Sequence, residues 1–313
     1  MRTRPVVSTP VPLAGLVACL VALASCGPAP EGSAGAAGDA LTDAPQQRGT
    51  TESTAPDTLR VLAYNIHHGA GNDEVIDLER IAALIRDLEP DLVALQEVDR
   101  GVERTKGVDQ AAVLGELTGT TPVFGAFMPY QGGDYGMAVL SAWPIVESRN
   151  HRLPEGAEPR TSVTVRVRSP TTGREIVLSD IHFYRTEEER LAQALTLDRL
   201  LRSHDRTTTT PGDATGDAAD RNDGGPADIT PTLLAGDFNS EPGTVVMDTL
   251  AALGWRVLTK SGTPLTFRSD DPVREIDFML VRPAERWEVI EHRVIDEPVA
   301  SDHSPIFAVL VVG

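Results

Sequence analysis

The chain has 313 residues, enough for one large domain with a substantial core. Its formal charge of −18, from 46 acidic and 28 basic side chains, argues against a protein that coats nucleic acid with clustered Lys and Arg. Only two cysteines occur, Cys19 and Cys26. Beyond residue 26 there is therefore no disulfide framework and no cysteine zinc site.

The first 26 residues read as an export signal. Arg2 and Arg4 precede an apolar run of twelve residues, Leu13 to Ala24. A bilayer span needs roughly 20. The run leads into Leu23-Ala24-Ser25-Cys26, which resembles a bacterial lipobox, whose cysteine becomes the lipidated first residue of the mature protein. The expected location is a bacterial membrane, with the protein exported to the periplasmic or cell-surface side and held by acyl chains on Cys26. Residues 27–57 are rich in Ala, Gly, Pro, Ser and Thr and read as a flexible tether to a domain over 58–313.

In that domain, apolar runs end or begin in polar groups. Leu59 to Asn65 is a strand ending in Asn65. A helix follows over 77–88, where Leu78, Ile81, Ala82, Ile85 and Leu88 recur at helical spacing before Glu89-Pro90. Asp91 to Glu97 is a second strand, ending in Glu97, and residues 110–118 form a second helix. Gly132-Gly133-Asp134-Tyr135-Gly136 is a loop that lacks the Lys and following helix of a phosphate-binding glycine loop. Thr161 to Arg168 alternates Val with Thr or Arg, the pattern of a half-exposed strand. Glu175 to His182 ends in His182. A helix from Glu187 to His204 starts with acids that suit its dipole and places Leu191, Ala194, Leu195, Leu197, Leu200 and Leu201 on its buried side. Residues 206–231 offer almost nothing to bury and read as a disordered insertion.

Two polar clusters complete the chain. Thr232 to Ala235 runs into Gly236-Asp237-Phe238-Asn239-Ser240, and Ser301-Asp302-His303-Ser304-Pro305 precedes the apolar run Ile306 to Val312. Between them Glu275 to Val281 carries Asp277 near its start. If the strands ending in Asn65, Glu97, His182 and Asp237 oppose those starting at Asp277 and Ser304, all these groups share one sheet edge. Ligands of open α/β sheets collect at such an edge. Asp237 and Asn239, two apart, share a face in an extended segment, and both also favour turns.

The order Tyr-Asn-Ile (64–66), Gln-Glu-Val (96–98), Gly-Met-Ala-Val-Leu-Ser (136–141), Ile-His-Phe (181–183), Gly-Asp-Phe-Asn (236–239), Ile-Asp-Phe (276–278) and Ser-Asp-His-Ser-Pro (301–305) resembles the endonuclease/exonuclease/phosphatase superfamily. That resemblance implies a four-layer α/β/β/α sandwich of two mixed sheets and hydrolysis of phosphate esters. It implies metal ligands at Asn65, Glu97 and Asp302, an oxygen-rich set suited to Mg²⁺, with Mn²⁺ as an alternative. It makes His303 a general base or a charge-stabilising imidazolium oriented by Asp277. Asp237 would position water or protonate the leaving group, Asn239 would hold a phosphoryl oxygen, and His182 would donate to a non-bridging oxygen. His67 and His68 can line the cleft, and Tyr135 and Arg160 can reach phosphate. The expected substrate is a small or lipid-linked phosphate ester, with nucleic acid disfavoured by charge, and the expected state is a monomer. An extracellular nuclease and a non-enzymatic surface lipoprotein are the competing readings.

Overall fold

The computed structural model describes residues 56–207 and 229–313, within one compact unit spanning Thr50–Gly313. The expected export signal with Cys26 and the expected tether up to residue 55 lie outside the described residues, as do residues 208–228 of the expected insertion. Among the described residues, twelve strands and four α-helices follow in order: β1 (Asp57–Asn65), α1 (Leu78–Leu88), β2 (Leu92–Arg100), α2 (Gln110–Thr118), β3 (Thr121–Tyr130), β4 (Gly133–Ser141), β5 (Ile145–Arg152), β6 (Thr161–Arg168), β7 (Glu175–His182), α3 (Glu187–Thr207), β8 (Thr232–Asp237), α4 (Val245–Ala252), β9 (Arg256–Val257), β10 (Asp277–Arg282), β11 (Trp287–Val294) and β12 (Ile306–Val312).

The strands form two six-stranded sheets, ordered β11-β12-β1-β2-β4-β3 and β5-β6-β7-β8-β10-β9. Each sheet holds one parallel pair, β1 with β2 and β7 with β8, and the remaining pairs are antiparallel. Period-two alternation sorts the side chains into layers. Leu59, Val61 and Ala63 of β1 meet Leu233 and Ala235 of β8 and Met279 and Val281 of β10 in a core between the sheets. The intervening Leu62 and Tyr64 pack outward against Ile81 and Ile85 of α1. On the far side Leu234, Phe278 and Leu280 pack against Leu197 and Leu201 of α3 and Val246 and Leu250 of α4. Three stacked apolar clusters make four layers, the expected α/β/β/α sandwich.

Helix ends follow the local chemistry. Asp77 and Asp109 accept the backbone N–H groups of Arg80 and Ala112 and so cap α1 and α2. α2 has the expected limits, and α1 starts one residue later than expected because Asp77 is its cap.

Several expectations are corrected. β6 is buried from Thr161 to Val167 and only Arg168 is exposed. It lies inside its sheet between β5 and β7, and its polar face is satisfied: the hydroxyls of Ser162 and Thr164 share Ser179 at 2.7 and 2.8 Å, and Arg166 pairs with Glu175. Leu195 of α3 is exposed, whereas Asp198 is buried because Arg282 and Trp255 both donate to it. Asp57, expected in the tether, is buried in β1 and bonded by Ser169, Thr172 and Arg174. Residues 206–207 belong to α3, and Pro231 accepts a hydrogen bond from Val177 of β7, so the expected insertion is shorter at both ends.

Candidate active site at one end of the sandwich

Inward parity carries an unbroken row of polar groups at one end of the inter-sheet core. Asn65 continues the row Leu59, Val61, Ala63, while Gln96 continues Leu92, Ala94. Asp180 and His182 continue Ile176, Leu178, and Asp237 continues Leu233, Ala235. Asp277 precedes Met279 and Val281 in the same row. Register aligns them: Asn65 sits beside Gln96, His182 beside Asp237, and Asp237 beside Asp277. Both parallel pairs thus end at one place, facing the start of β10.

Glu97 needs a separate device. In a regular strand it would point outward, away from Gln96. Here β2 does not end at Glu97 but continues to Arg100, with a register shift between Gln96 and Val98 and a left-handed Glu97 at φ 59°. The bulge returns Val98 to the outer apolar layer and frees Glu97 from the alternation. Left-handed backbone at a non-glycine residue costs on the order of 1–3 kcal/mol and collects at functional sites. Asn239, His67 and His68 share it, at φ 48°, 45° and 47°.

Asp237 is the hub. Its Oδ1 accepts the backbone N–H of Asn239 at 2.7 Å, the turn that Asp-Phe-Asn favours. Its Oδ2 accepts from Asn65 Nδ2 at 3.3 Å and lies 3.3 Å from His182 Nε2 and 3.8 Å from His303 Nε2. Phe238 anchors the turn from the other face, edge-on to Phe183 and Phe278 with ring centroids 5.6 Å apart in each pair. Gly236 is obligatory just before it: at φ 133°, a Cβ there would come within 2.2 Å of the Ile181 carbonyl oxygen and 2.9 Å of Gln96 Nε2. Burial pushes the Asp237 carboxyl up to about 7, with Asp277 and Glu97 adding to the rise and His303 and the Asn239 N–H opposing it.

His303 lies between two carboxylates. Its Nδ1 is 3.0 and 3.2 Å from the two oxygens of Asp277, and its Nε2 faces Asp237 and, at 3.5 Å, Asn65 Nδ2. Burial disfavours the charged ring, but Asp277, Asp237 and Asp302 outweigh it and push the imidazole up to about 10. Ser301 fixes the segment by donating to the Asn65 carbonyl at 2.7 Å while accepting the His303 N–H. Nothing in the sequence beyond its adjacency to Asp302 singles out this serine.

His182 is held in one tautomer. Arg160 Nη1, which can only donate, lies 3.4 Å from Nδ1, so Nε2 carries the proton and points at Asp237. Burial and the charges of Arg160, His303 and Arg185 keep this ring well below the ordinary imidazole range. Arg160 is itself buried, paired with Glu158 at 2.8 Å and stacked over Phe127 and Tyr184. Tyr135 packs edge-on to Phe127 and under Arg104.

Asn239 donates to the Phe183 carbonyl at 2.9 Å. Asn65 Oδ1 accepts the His67 N–H at 3.1 Å, which turns Nδ2 towards Glu97 Oε1, also at 3.1 Å. Asp302, with a side chain 25% exposed, stands 4.0 Å from His67 Nδ1. Among the described residues, two groups of acid and imidazole donors each have their ligand atoms within 4.8 Å of one another: His67, His68 and Glu97, and Asp237, Asp277 and His303. The donor chemistry therefore fits a divalent ion beside Glu97, with Asp302 next to His67, whereas Asn65, expected as an oxygen ligand, presents its amide nitrogen to Glu97 because its oxygen accepts the His67 N–H. His67 and His68 are expected only to line the cleft, although the doubled His and the glycine after it mark a tight turn.

Behind these groups, Gln96 Nε2 donates to Asp180 Oδ1 at 2.6 Å across the two sheets, and burial pushes the Asp180 carboxyl well above the usual carboxylate range. Among the described residues, Gln96 Oε1 and Asp180 Oδ2 have no hydrogen-bond partner.

Comparison with known proteins agrees with this geometry. The uncharacterized protein YbhP of Escherichia coli (strain K12) is 26% identical over 270 residues, covering 82% of this chain and 98% of that protein. An endonuclease/exonuclease/phosphatase structure from Beutenbergia cavernae superposes with a TM-score of 0.58 at 23% identity, over 82% of this chain and 72% of the other. A mannosyl-6-phosphatase from Bacteroides thetaiotaomicron superposes with a TM-score of 0.63 at 17% identity, over 80% and 99%. The sequence profile of the Endonuclease/Exonuclease/phosphatase family spans residues 62–303, from β1 to His303 itself, and the chain belongs to that family.

Proposed function

We propose that the protein is a divalent-metal-dependent hydrolase of a small or lipid-linked phosphate ester, exported and held at a bacterial membrane through Cys26. Family membership supports phosphate-ester hydrolysis in general. The observation that carries the finer reading is the meeting of Asp237, His182, Asn65 and His303 at one carboxylate oxygen beside Glu97. A metal held by Glu97 and Asp302 would neutralise phosphoryl oxygens as charge develops.

The chain's own groups do the rest. His303, flanked by Asp277 and Asp237, is built as a cation, so it stabilises the growing charge on the phosphoryl group instead of accepting a proton. Asp237 Oδ2, surrounded by donors and buried, is the acceptor for a proton of the attacking water. His182 and Asn65 fix that carboxylate by donating to it. Asn239, set by its left-handed turn at the mouth, and Arg160 beside His182 line the approach to the phosphoryl oxygens. Water adds to phosphorus, the ester oxygen leaves, and the departing alcohol takes up a proton.

The excess of acidic side chains supports a small or membrane-borne ester over long duplex DNA. The test is turnover by the purified protein with Mg²⁺ or Mn²⁺ on sugar phosphates, nucleotides, sphingomyelin, phosphoinositides and nucleic acids. Hydrolysis of a non-polymeric ester supports the reading. Hydrolysis of nucleic acid alone makes the protein a nuclease, and no turnover on any ester overturns the enzymatic reading.

A further inference from the structure

His67 and His68 follow Asn65 after one residue, Ile66, and are not used by the chemistry above. The two rings stand 4.5 Å apart, edge to face at 69°. Their donor atoms and the carboxylate of Glu97 all lie within 4.8 Å of one another. His68 Nδ1 is buried and has no hydrogen-bond partner. A buried imidazole nitrogen without a partner is costly unless something fills it. His67 Nδ1 faces Asp302 at 4.0 Å, its side chain 40% exposed at the mouth.

The turn that presents both rings is held from outside. Gln110 donates to the His68 carbonyl at 2.7 Å and accepts the Asp99 N–H at 2.9 Å, tying α2 to both the turn and the strand that carries Glu97. The carbonyls of Ile66 and His67 accept the N–H groups of Gly69 and Ala70 at 2.8 and 2.9 Å. The ligand-bearing segments are thus fixed before any ion arrives.

We propose that His67 and His68 join Glu97 in a mixed nitrogen–oxygen metal site, so that this chain takes Zn²⁺ or a similar first-row transition ion in preference to Mg²⁺. The inference rests on the metal-dependent reading above and gives its metal site two more ligands. Imidazole suits Zn²⁺ and its neighbours, whereas Mg²⁺ prefers oxygen donors and keeps its waters. A tetrahedral Zn²⁺ with bonds of about 2.1 Å needs donors roughly 3.4 Å apart, so small side-chain rotations close the existing triangle. Three protein donors leave a fourth position for water or a phosphoryl oxygen, and Asp302, 4.0 Å from His67 Nδ1, orients that ring.

The test is metal binding without turnover. The purified protein is stripped with chelator, freed of it, and titrated with Zn²⁺, Mg²⁺ and, as a spectroscopic probe, Co²⁺. Wild type should bind Zn²⁺ at least tenfold more tightly than Mg²⁺, and Co²⁺ should give the visible absorption of a low-coordinate nitrogen-ligated ion. His67→Ala and His68→Ala should each weaken Zn²⁺ binding about tenfold or more and dim the Co²⁺ bands, with Mg²⁺ affinity changed about twofold or less. If His68→Ala does not fold, as judged by its metal-free circular dichroism, His67→Ala at the exposed position and His68→Gln decide. Zn²⁺ binding that survives both substitutions, or is lost only in His303→Ala, overturns the proposal, as does a wild type that prefers Mg²⁺. Histidine-dependent binding without hydrolysis of any ester would uphold this site while sinking the hydrolase reading. Mg²⁺-supported hydrolysis indifferent to His67 and His68 would do the reverse.

Discussion

Replacing Asp277 with Asn should slow turnover nearly as much as removing the imidazole it holds. Both Asp277 oxygens lie within 3.2 Å of His303 Nδ1, and the pair is buried. The ring is pushed from 6.5 up to about 10 against burial, a preference for the charged form of about 5 kcal/mol. Asn keeps the size and one hydrogen-bonding atom but loses the charge. Loss of the charge that orients the ring and holds it as a cation should cost on the order of a hundredfold in kcat. His303→Ala removes the charge and the donor together and should cost about a thousandfold. Because the two act as a unit, Asp277→Asn combined with His303→Ala should be no slower than His303→Ala alone. The assay is steady-state kcat and KM of the three variants on the best substrate, with folding checked by circular dichroism. A double variant slowed by the product of the single losses, about 10⁵-fold, would refute the pairing. A rise in KM with unchanged kcat would refute the transition-state role.

Three further outcomes follow from other parts of the molecule. Asp180 keeps a proton when folded that the unfolded chain sheds as pH rises past about 4, so wild-type stability falls with pH up to the raised folded value. Asp180→Asn, which has no charge to bury, should match wild type in melting temperature near pH 4 and exceed it increasingly towards pH 8, measured in chelator; a difference that ignores pH would show that Asp180 is not protonated. Gly236→Ala forces a Cβ against the Ile181 carbonyl oxygen and Gln96, and should cost on the order of 1–3 kcal/mol in urea unfolding together with most activity; an unchanged midpoint and rate would show that β8 can shift freely. Cys26→Ser should move the protein from the membrane fraction to the soluble one, whereas a wild type already soluble and unacylated would end the lipoprotein reading.

Most of the architecture was legible because the strands are two-sided and buried. The runs into Asn65, His182 and Asp237 and out of Asp277 give inward parity to the chemical groups, and that parity survives folding unchanged. What escaped notice depends on departures from regularity. Glu97 looked like a strand end; it is a bulge inside a strand, and the apolar Val98 after it was the available clue. β6 looked half-exposed because Thr and Arg were counted as solvent-facing, yet long-range partners such as Ser179 and Glu175 satisfy them inside. Leu195, expected to be buried, faces solvent, while Asp198 is buried because an aspartate that accepts from both Arg282 and Trp255 is cheaper to bury than periodicity alone suggests. The Gln96–Asp180 contact joins two sheets 84 residues apart in sequence, and no local pattern announces it.

Hydrolysis in ¹⁸O-water, before and after metal is returned to chelator-stripped protein, tests the central claim most directly. The account predicts no release from the best phosphate ester in chelator, restored release with Mg²⁺, Mn²⁺ or Zn²⁺, and the label in the phosphate product, since water adds to phosphorus at the Asp237 and His303 end of the sandwich. Full turnover in chelator, or label found only in the released alcohol, would contradict it.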